Sequence, residues 1–105
     1  MAIDNSTIID VISITQDNEV ALTISDHLSW DNNDHFFYLK NKINSYFNFI
    51  ESNQIFEVYP DAIGKQFIIN LALKYKPSKQ AEIFLEEMRN FVISKNYKFI
   101  YSAIN

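Results

Sequence analysis

The sequence lacks cysteine altogether and has a single glycine among its 105 residues. Without cysteine, the chain can form no disulfide, no thiolate nucleophile and no cysteine-based zinc site. With glycine only at position 64, it has no glycine-rich loop of the kind that cradles phosphate groups. The composition therefore excludes thiol chemistry and phosphate-loop nucleotide binding.

Positive charge is also scarce. Nine lysine and arginine residues stand against 13 aspartate and glutamate residues, for a net charge of −4. Surfaces that bind nucleic acid concentrate arginine and lysine on one face, whereas Arg89 is the only arginine here and the lysines are scattered. No apolar run approaches the roughly 20 residues that span a bilayer, and no basic segment precedes an apolar one near the start. We expect a cytoplasmic protein that binds neither nucleic acid nor membrane.

Apolar and aromatic residues, by contrast, are abundant. Hydrophobic residues make up 48% of the chain and aromatic residues 15%. This composition and length predict a single globular domain over residues 1–105 with a core rich in aromatic rings, and a flexible end at residues 1–6.

The first half of the chain predicts a β-hairpin followed by a helix. Residues 7–15 are rich in β-branched side chains and residues 20–26 alternate, with a turn signal at Asp17-Asn18 between them. Over residues 32–52 the apolar period changes to steps of three and four, which is typical of a helix. We expect Asp31 to cap this helix and Asp34 to favour its first turn. Asn53 is expected to end it in the left-handed conformation.

The second half predicts the same order of elements. Residues 55–59 and 66–76 are predicted strands, joined by a loop that contains Gly64. A helix is predicted from Pro77-Ser78 to about Ser94, followed by a strand over residues 97–102. The prediction is an α+β fold of order ββα-ββα-β, with a five-stranded, mainly antiparallel sheet and both helices on one face.

A polar stretch at residues 25–35 is the best candidate for a chemical site, because it holds both histidines and three carboxylates. A three-residue hairpin loop at residues 17–19 would set Asp10 opposite Asp26, an unfavourable pair unless a cation or a shared proton relieves it. That arrangement predicts a metal or acid/base site built from Asp10, Asp26 and His27, with His35 nearby.

The structural interpretation of the same stretch is simpler. A two-residue turn would place Asp10 opposite Ser25 instead, so that Asp26 merely ends its strand and His27 lies in a turn. No spacing in the stretch matches a recognised catalytic or metal-binding motif. We favour this interpretation, with no catalytic residue, no metal and no cofactor.

The sheet face away from the helices is the candidate interaction surface. Strand alternation predicts that this face mixes polar and apolar side chains, among them Ile9, Val11, Thr23, Ile68, Asn70 and Ile100. An extended apolar patch on such a face marks an interface, and a second copy of the chain is its simplest occupant. Single exposed isoleucines, however, are ordinary.

Several short motifs resemble a family of small bacterial proteins that is catalogued only as a domain of unknown function. They are Ser25-Asp26-His27-Leu28 with Trp30-Asp31, Lys42-Ile43-Asn44 with Tyr46, Phe49-Ile50-Glu51-Ser52, and Tyr59-Pro60. The resemblance covers about residues 7–100 and departs from the pattern at Asn53, where glycine is expected. It implies no activity and brings no site residues with it.

The leading hypothesis is therefore a non-enzymatic domain that binds another protein or forms a homodimer. The alternative is a small metal-binding or acid/base enzyme domain centred on Asp26 and His27. The sequence does not identify a small-molecule ligand.

Overall fold

The fold consists of a mixed β-sheet with helices packed on one face. The structure is a computed structural model that describes residues 11–103. Within that range the elements are β1 (Val11–Ile14), β2 (Val20–Asp26), α1 (His35–Glu51), α2 (Gln54–Val58), a 3₁₀ turn (Pro60–Ala62), β3 (Phe67–Leu73), α3 (Lys79–Ser94) and β4 (Lys98–Ala103). No helix in this range is both long and apolar enough to cross a membrane. The α+β class is thus confirmed, and the predicted flexible end at residues 1–6 lies outside the described residues.

The sheet is not the predicted one. Residues 11–103 contain four strands in the order β1-β2-β3-β4, not five. The β1–β2 pair is antiparallel, but β2–β3 and β3–β4 are parallel. A single strand follows each long helix, so the chain must return to the same end of the sheet before it adds that strand. Parallel pairing follows from this connectivity, and the prediction of a mainly antiparallel sheet was wrong.

The missing strand is the segment 55–59, which forms most of helix α2. Asn53 adopts a left-handed backbone with φ 67°, which ends α1 and starts a new helical turn. The Tyr59 N–H then donates to the Ile55 carbonyl at 2.7 Å, while the Ile55 side chain is fully buried. An apolar run this short suits a buried helical turn as well as a strand, and here the tertiary packing selects the helix.

Both long helices pack on one face of the sheet, as predicted. Alternate residues of β2 and β3 are buried in one core together with the inner sides of α1 and α3. The helices lie side by side, because Phe36 stacks on Phe84 with ring centroids 4.3 Å apart and Phe47 meets Phe91 at 5.4 Å. The opposite face carries no helix among the described elements, and we call it the open face. It presents Val11, Ser13, Ala21, Thr23, Ser25, Ile68, Asn70, Ala72, Lys98, Ile100 and Ser102 by strand alternation.

The ends of the helices agree only in part with the capping residues predicted from the sequence. Ser78 caps α3, since its hydroxyl accepts from the Ala81 N–H at 3.2 Å. Gly64 and Asn96 adopt positive φ angles of 80° and 67°, the left-handed conformation that suits the loop before β3 and the end of α3. The cap predicted for α1 was wrong, because α1 begins at His35 and the residue before it, Asp34, makes no side-chain capping bond.

The hairpin register also differs from both predicted alternatives. Ile12 lies opposite Leu22 and Ile14 opposite Val20, so the loop runs from Thr15 to Glu19. The Thr15 hydroxyl accepts from the Glu19 N–H at 3.1 Å and stabilises this longer turn. Compared with the three-residue loop, the pairing is shifted by two residues, which keeps each side chain on its expected face.

Candidate functional site

Asp26 and His35 meet in the interior of the protein. Asp26 is the last residue of β2 and His35 the first of α1, and the loop 27–34 brings them back together. His35 Nε2 lies 2.5 Å from Asp26 Oδ2, and the two residues are 1% and 3% exposed. Nine positions apart in the chain, they form one buried ionisable pair.

The hydrogen bonds fix where the protons of this pair lie. His35 Nδ1 is 3.0 Å from the Ser29 carbonyl oxygen, which can only accept, so Nδ1 carries a hydrogen. At 2.5 Å, a second proton must lie between Nε2 and the Asp26 carboxyl oxygen, since two bare acceptors would repel. The imidazole and the carboxyl group are therefore joined by a hydrogen bond whose proton is supplied by one of them.

Neighbouring groups enclose the pair. Asp26 Oδ1 accepts from the Leu28 N–H at 3.1 Å, so both carboxyl oxygens are occupied. The Trp30 indole stacks on the His35 ring with centroids 3.9 Å apart and an interplanar angle of 18°. Trp30 is itself held by a hydrogen bond from Nε1 to the Tyr75 carbonyl at 3.0 Å. The arrangement fixes the start of α1 against the end of β2.

A cap at Asp31 would make Trp30 and His35 a hydrophobic staple, with one residue before the cap and one in the second turn. Their rings do touch, but the geometry is different because the helix begins four residues later than that cap. Residues 29–34 form turns instead, in which the Asn32 side chain accepts from the Asp34 N–H at 2.8 Å.

The other two predicted site residues are placed differently. His27 lines an open groove of about 230 Å³ at the carboxyl ends of β2 and β3, together with Asp26 and Lys74. Its Nδ1 atom is buried and has no hydrogen-bond partner among the described residues. Asp10 lies outside the described residues. Within residues 11–103, no three histidine, aspartate or glutamate side chains come together as a metal site would require.

A buried lysine was missed by the sequence analysis. Lys42 is fully buried on the inner side of α1, with its Nζ 5.7 Å from the ring centroid of Tyr46. The Tyr46 hydroxyl in turn donates to the Thr23 carbonyl at 3.0 Å. Lys42 lies three residues after Leu39 and four before Tyr46, which is the spacing of the buried stripe. That spacing was a usable signal, and it outweighs the ordinary preference of lysine for the surface.

Phe36 is the converse case. The apolar steps of three and four over residues 32–52 include Phe36 and predict its burial, but it is 36% exposed. His35 occupies the buried position one residue earlier, while the rest of the predicted stripe is buried as expected: Leu39, Ile43, Tyr46, Phe47 and Ile50.

Four of the six predicted interface residues form one row across the open face. Val11, Thr23, Asn70 and Ile100 are successive cross-strand neighbours from β1 to β4. The outer two, Val11 and Ile100, are 49% and 50% exposed. The inner two are polar and bonded to each other, with Asn70 Nδ2 donating to the Thr23 hydroxyl at 3.2 Å.

Ile68, which was predicted to be exposed on this face, is only 6% exposed. It lies between Ala21 and Lys98 in the sheet register. Lys98 reaches from β4 to Glu19, at the start of β2, where Nζ and Oε2 are 2.5 Å apart. The lysine side chain therefore crosses β3 on the side of Ile68, which explains its burial. Ile9, the remaining predicted interface residue, lies outside the described residues.

Comparison with known proteins gives a family but no activity. No curated protein and no solved structure matches this chain. The model of a family of unknown function, DUF6572, matches residues 1–105. This chain therefore belongs to the DUF6572 family.

Proposed function

We propose that this domain works by binding rather than by catalysis, and that its partner is a second copy of the same chain. The observation that carries the proposal is a groove of about 530 Å³ beside β4, bounded by Ile93 of α3 and Ile100 of β4. These two isoleucines are 53% and 50% exposed. One exposed isoleucine is ordinary, but two on the same groove, next to the last strand of the sheet, favour an interface.

The buried hydrogen bond between Asp26 and His35 also supports binding rather than catalysis. A catalytic acid or base must reach the proton that it transfers, whereas this pair is enclosed and each partner already has its hydrogen bonds. The chemistry that made these residues candidates is used to join β2 to α1.

The size of the apolar contribution can be estimated. Burying an isoleucine completely contributes about 1.5–3 kcal/mol, so covering the exposed half of each contributes about 1 kcal/mol. Two such residues from each copy give roughly 4 kcal/mol, whereas micromolar affinity corresponds to about 8 kcal/mol. The apolar contacts therefore need a second contribution to the free energy of association.

Light scattering coupled to size-exclusion chromatography tests self-association. At micromolar concentration we expect twice the 12.3 kDa mass of one chain. Ile100→Lys should give a monomer, because it sets a charge in the interface. The matched control is Ile83→Lys, at an exposed position of α3 (59% exposed) away from the groove, and it should remain dimeric. A wild-type chain that is monomeric under these conditions would refute the proposal.

The alternative function is a small acid/base or metal-binding domain centred on Asp26 and His27. The unpartnered Nδ1 atom of His27, beside the groove that also contains Lys74, is the observation in its favour. Calorimetric titration with zinc, manganese and magnesium tests it. Micromolar binding that is lost in His27→Ala would favour this alternative.

The proposal also places the protein in the cytoplasm of a bacterium. This rests on the resemblance of its motifs to those of small bacterial proteins. Cell fractionation of the native host tests the location.

A further inference from the structure

Strand β4 is the outer strand of the described sheet on the side of the groove. It runs over six residues, Lys98–Ala103, and pairs with β3 alone among the described strands. An outer strand presents backbone donors and acceptors that can pair with another chain, and proteins commonly block such pairing with charged side chains, proline or a bulge. Strand β4 contains no proline, and its only charged residue is Lys98.

Lys98 does not block strand pairing at this edge, because its side chain is held over the face of the sheet. Its ammonium group pairs with the Glu19 carboxylate at 2.5 Å, on the far side of β3. The ion pair neutralises the charge and ties the ammonium group to Glu19, although Lys98 also lines the groove. The edge is thus left with Ile100 half exposed at its middle.

We infer that two copies join through β4, which pairs antiparallel with β4 of the second copy about a two-fold axis at Ile100. This inference rests on the proposed self-association and names its geometry. It supplies the contribution that the apolar contacts lack, since strand pairing adds main-chain hydrogen bonds to the buried isoleucines. The two sheets become one continuous sheet.

The side chains of β4 favour this register. A two-fold axis at Ile100 places Ile100 opposite its own copy, Phe99 opposite Tyr101, and Lys98 opposite Ser102. Apolar and aromatic cross-strand pairs stabilise antiparallel sheets, and no like charges face each other. An axis at Tyr101 would instead oppose Ile100 to Ser102 and Phe99 to Ala103, which matches less well.

Packing of two open faces against each other is the competing arrangement, and the structure disfavours it. The open face holds the Thr23–Asn70 hydrogen bond near its middle and the Lys98–Glu19 ion pair at one end. Face-to-face packing would remove these groups from water for little apolar gain. Pairing at the edge leaves them solvated.

Single-cysteine variants test the register directly, because the chain has no cysteine of its own. Directly opposed residues have Cβ atoms about 4.5–5.5 Å apart, close to disulfide range. We expect Ile100→Cys to form a covalent dimer on mild oxidation. Ser102→Cys, exposed on the same strand and the same face, should not, because Ser102 of each copy lies opposite Lys98 of the other.

The outcomes separate this inference from the proposed function. A dimer by light scattering in which Ile100→Cys fails to cross-link overturns the β4 register and leaves self-association intact. Cross-linking only in a mixture of Ile100→Cys and Ser102→Cys chains overturns the axis at Ile100 in favour of Tyr101. A monomer in light scattering overturns both.

The ion pair gives a second, independent test. Glu19→Gln releases the Lys98 ammonium group without changing β4 itself, so that its charge can oppose strand pairing at this edge. We therefore expect a severalfold higher dissociation constant for the dimer. Adding Lys98→Gln to that variant removes the charge and should restore the affinity. Unchanged dimerisation in Glu19→Gln would contradict the role assigned to Lys98.

Discussion

Asp26→Asn is the substitution that most sharply probes the buried pair. Asparagine has nearly the shape of aspartate, and its amide group can donate to His35 Nε2 while the imidazole keeps its Nδ1 hydrogen for the Ser29 carbonyl. The amide oxygen can still accept from the Leu28 N–H. Every hydrogen bond of the site is retained, and only the ionic character of one is lost.

The expected magnitudes follow from that geometry. A hydrogen bond to a charged group contributes about 1.5–3 kcal/mol and a neutral one about 0.5–1.5 kcal/mol, so Asp26→Asn should lower the free energy of unfolding by about 1 kcal/mol. Asp26→Ala leaves His35 Nε2 buried without a partner and should cost about 3–5 kcal/mol. The larger value is a substantial part of the free energy of unfolding of a small domain, which is roughly 5–15 kcal/mol.

Urea unfolding at a fixed protein concentration is the assay, followed by circular dichroism and by the fluorescence of Trp30, the only tryptophan. Asp31→Asn, at an exposed position of the adjoining turn, is the matched control and should change stability by less than about 0.5 kcal/mol. Equal losses in Asp26→Asn and Asp26→Ala would refute the assignment of these hydrogen bonds. A loss below about 1 kcal/mol in Asp26→Ala would show that the pair is not structural.

Other predictions concern capping, core packing and alkaline pH. Ser78→Ala should lower the free energy of unfolding by about 0.5–2 kcal/mol through loss of the α3 cap, whereas Asp31→Ala should be nearly neutral in the same urea assay because Asp31 does not cap α1. Leu71→Ala, at a fully buried position, should cost about 2–5 kcal/mol, and a near-neutral result would contradict the core. Burial, and secondarily the Glu51 carboxylate, raise the pKa of Tyr97 above its usual 10.0; the folded state thus favours the neutral phenol, a contribution that is full below pH 10.0 and is lost as pH rises through the higher folded value. Urea titrations across this range should show a smaller decline for Tyr97→Phe than for the wild type.

The long, periodic elements were predictable from the sequence. Steps of three and four located α1 and α3 to within a few residues, and the runs of alternating or β-branched residues located β2, β3 and β4. These signals are local, so they survive in any tertiary setting. The segment 55–59 was too short for its period to be decisive, and the error there changed the strand count and, with it, the direction of pairing.

The candidate site was only half predictable. Asp26 and His35 were both singled out, but their contact depends on where α1 begins, and the sequence offered Asp31 as a more obvious cap. The buried position of Lys42 was masked by the general preference of lysine for solvent. The burial of Ile68 depends on an ion pair between Glu19 and Lys98, which are 79 positions apart, and no local pattern reports such a contact.

Amide hydrogen exchange followed by NMR over a range of protein concentrations tests the central claim most directly. If β4 joins two copies, amides of Lys98–Ala103 that face outward should exchange more slowly as concentration rises, while those of the outer strand β1 should not change. The Ile100→Lys variant should abolish the concentration dependence in β4. Exchange in β4 that is independent of concentration, in a chain that light scattering shows to be dimeric, would contradict the account.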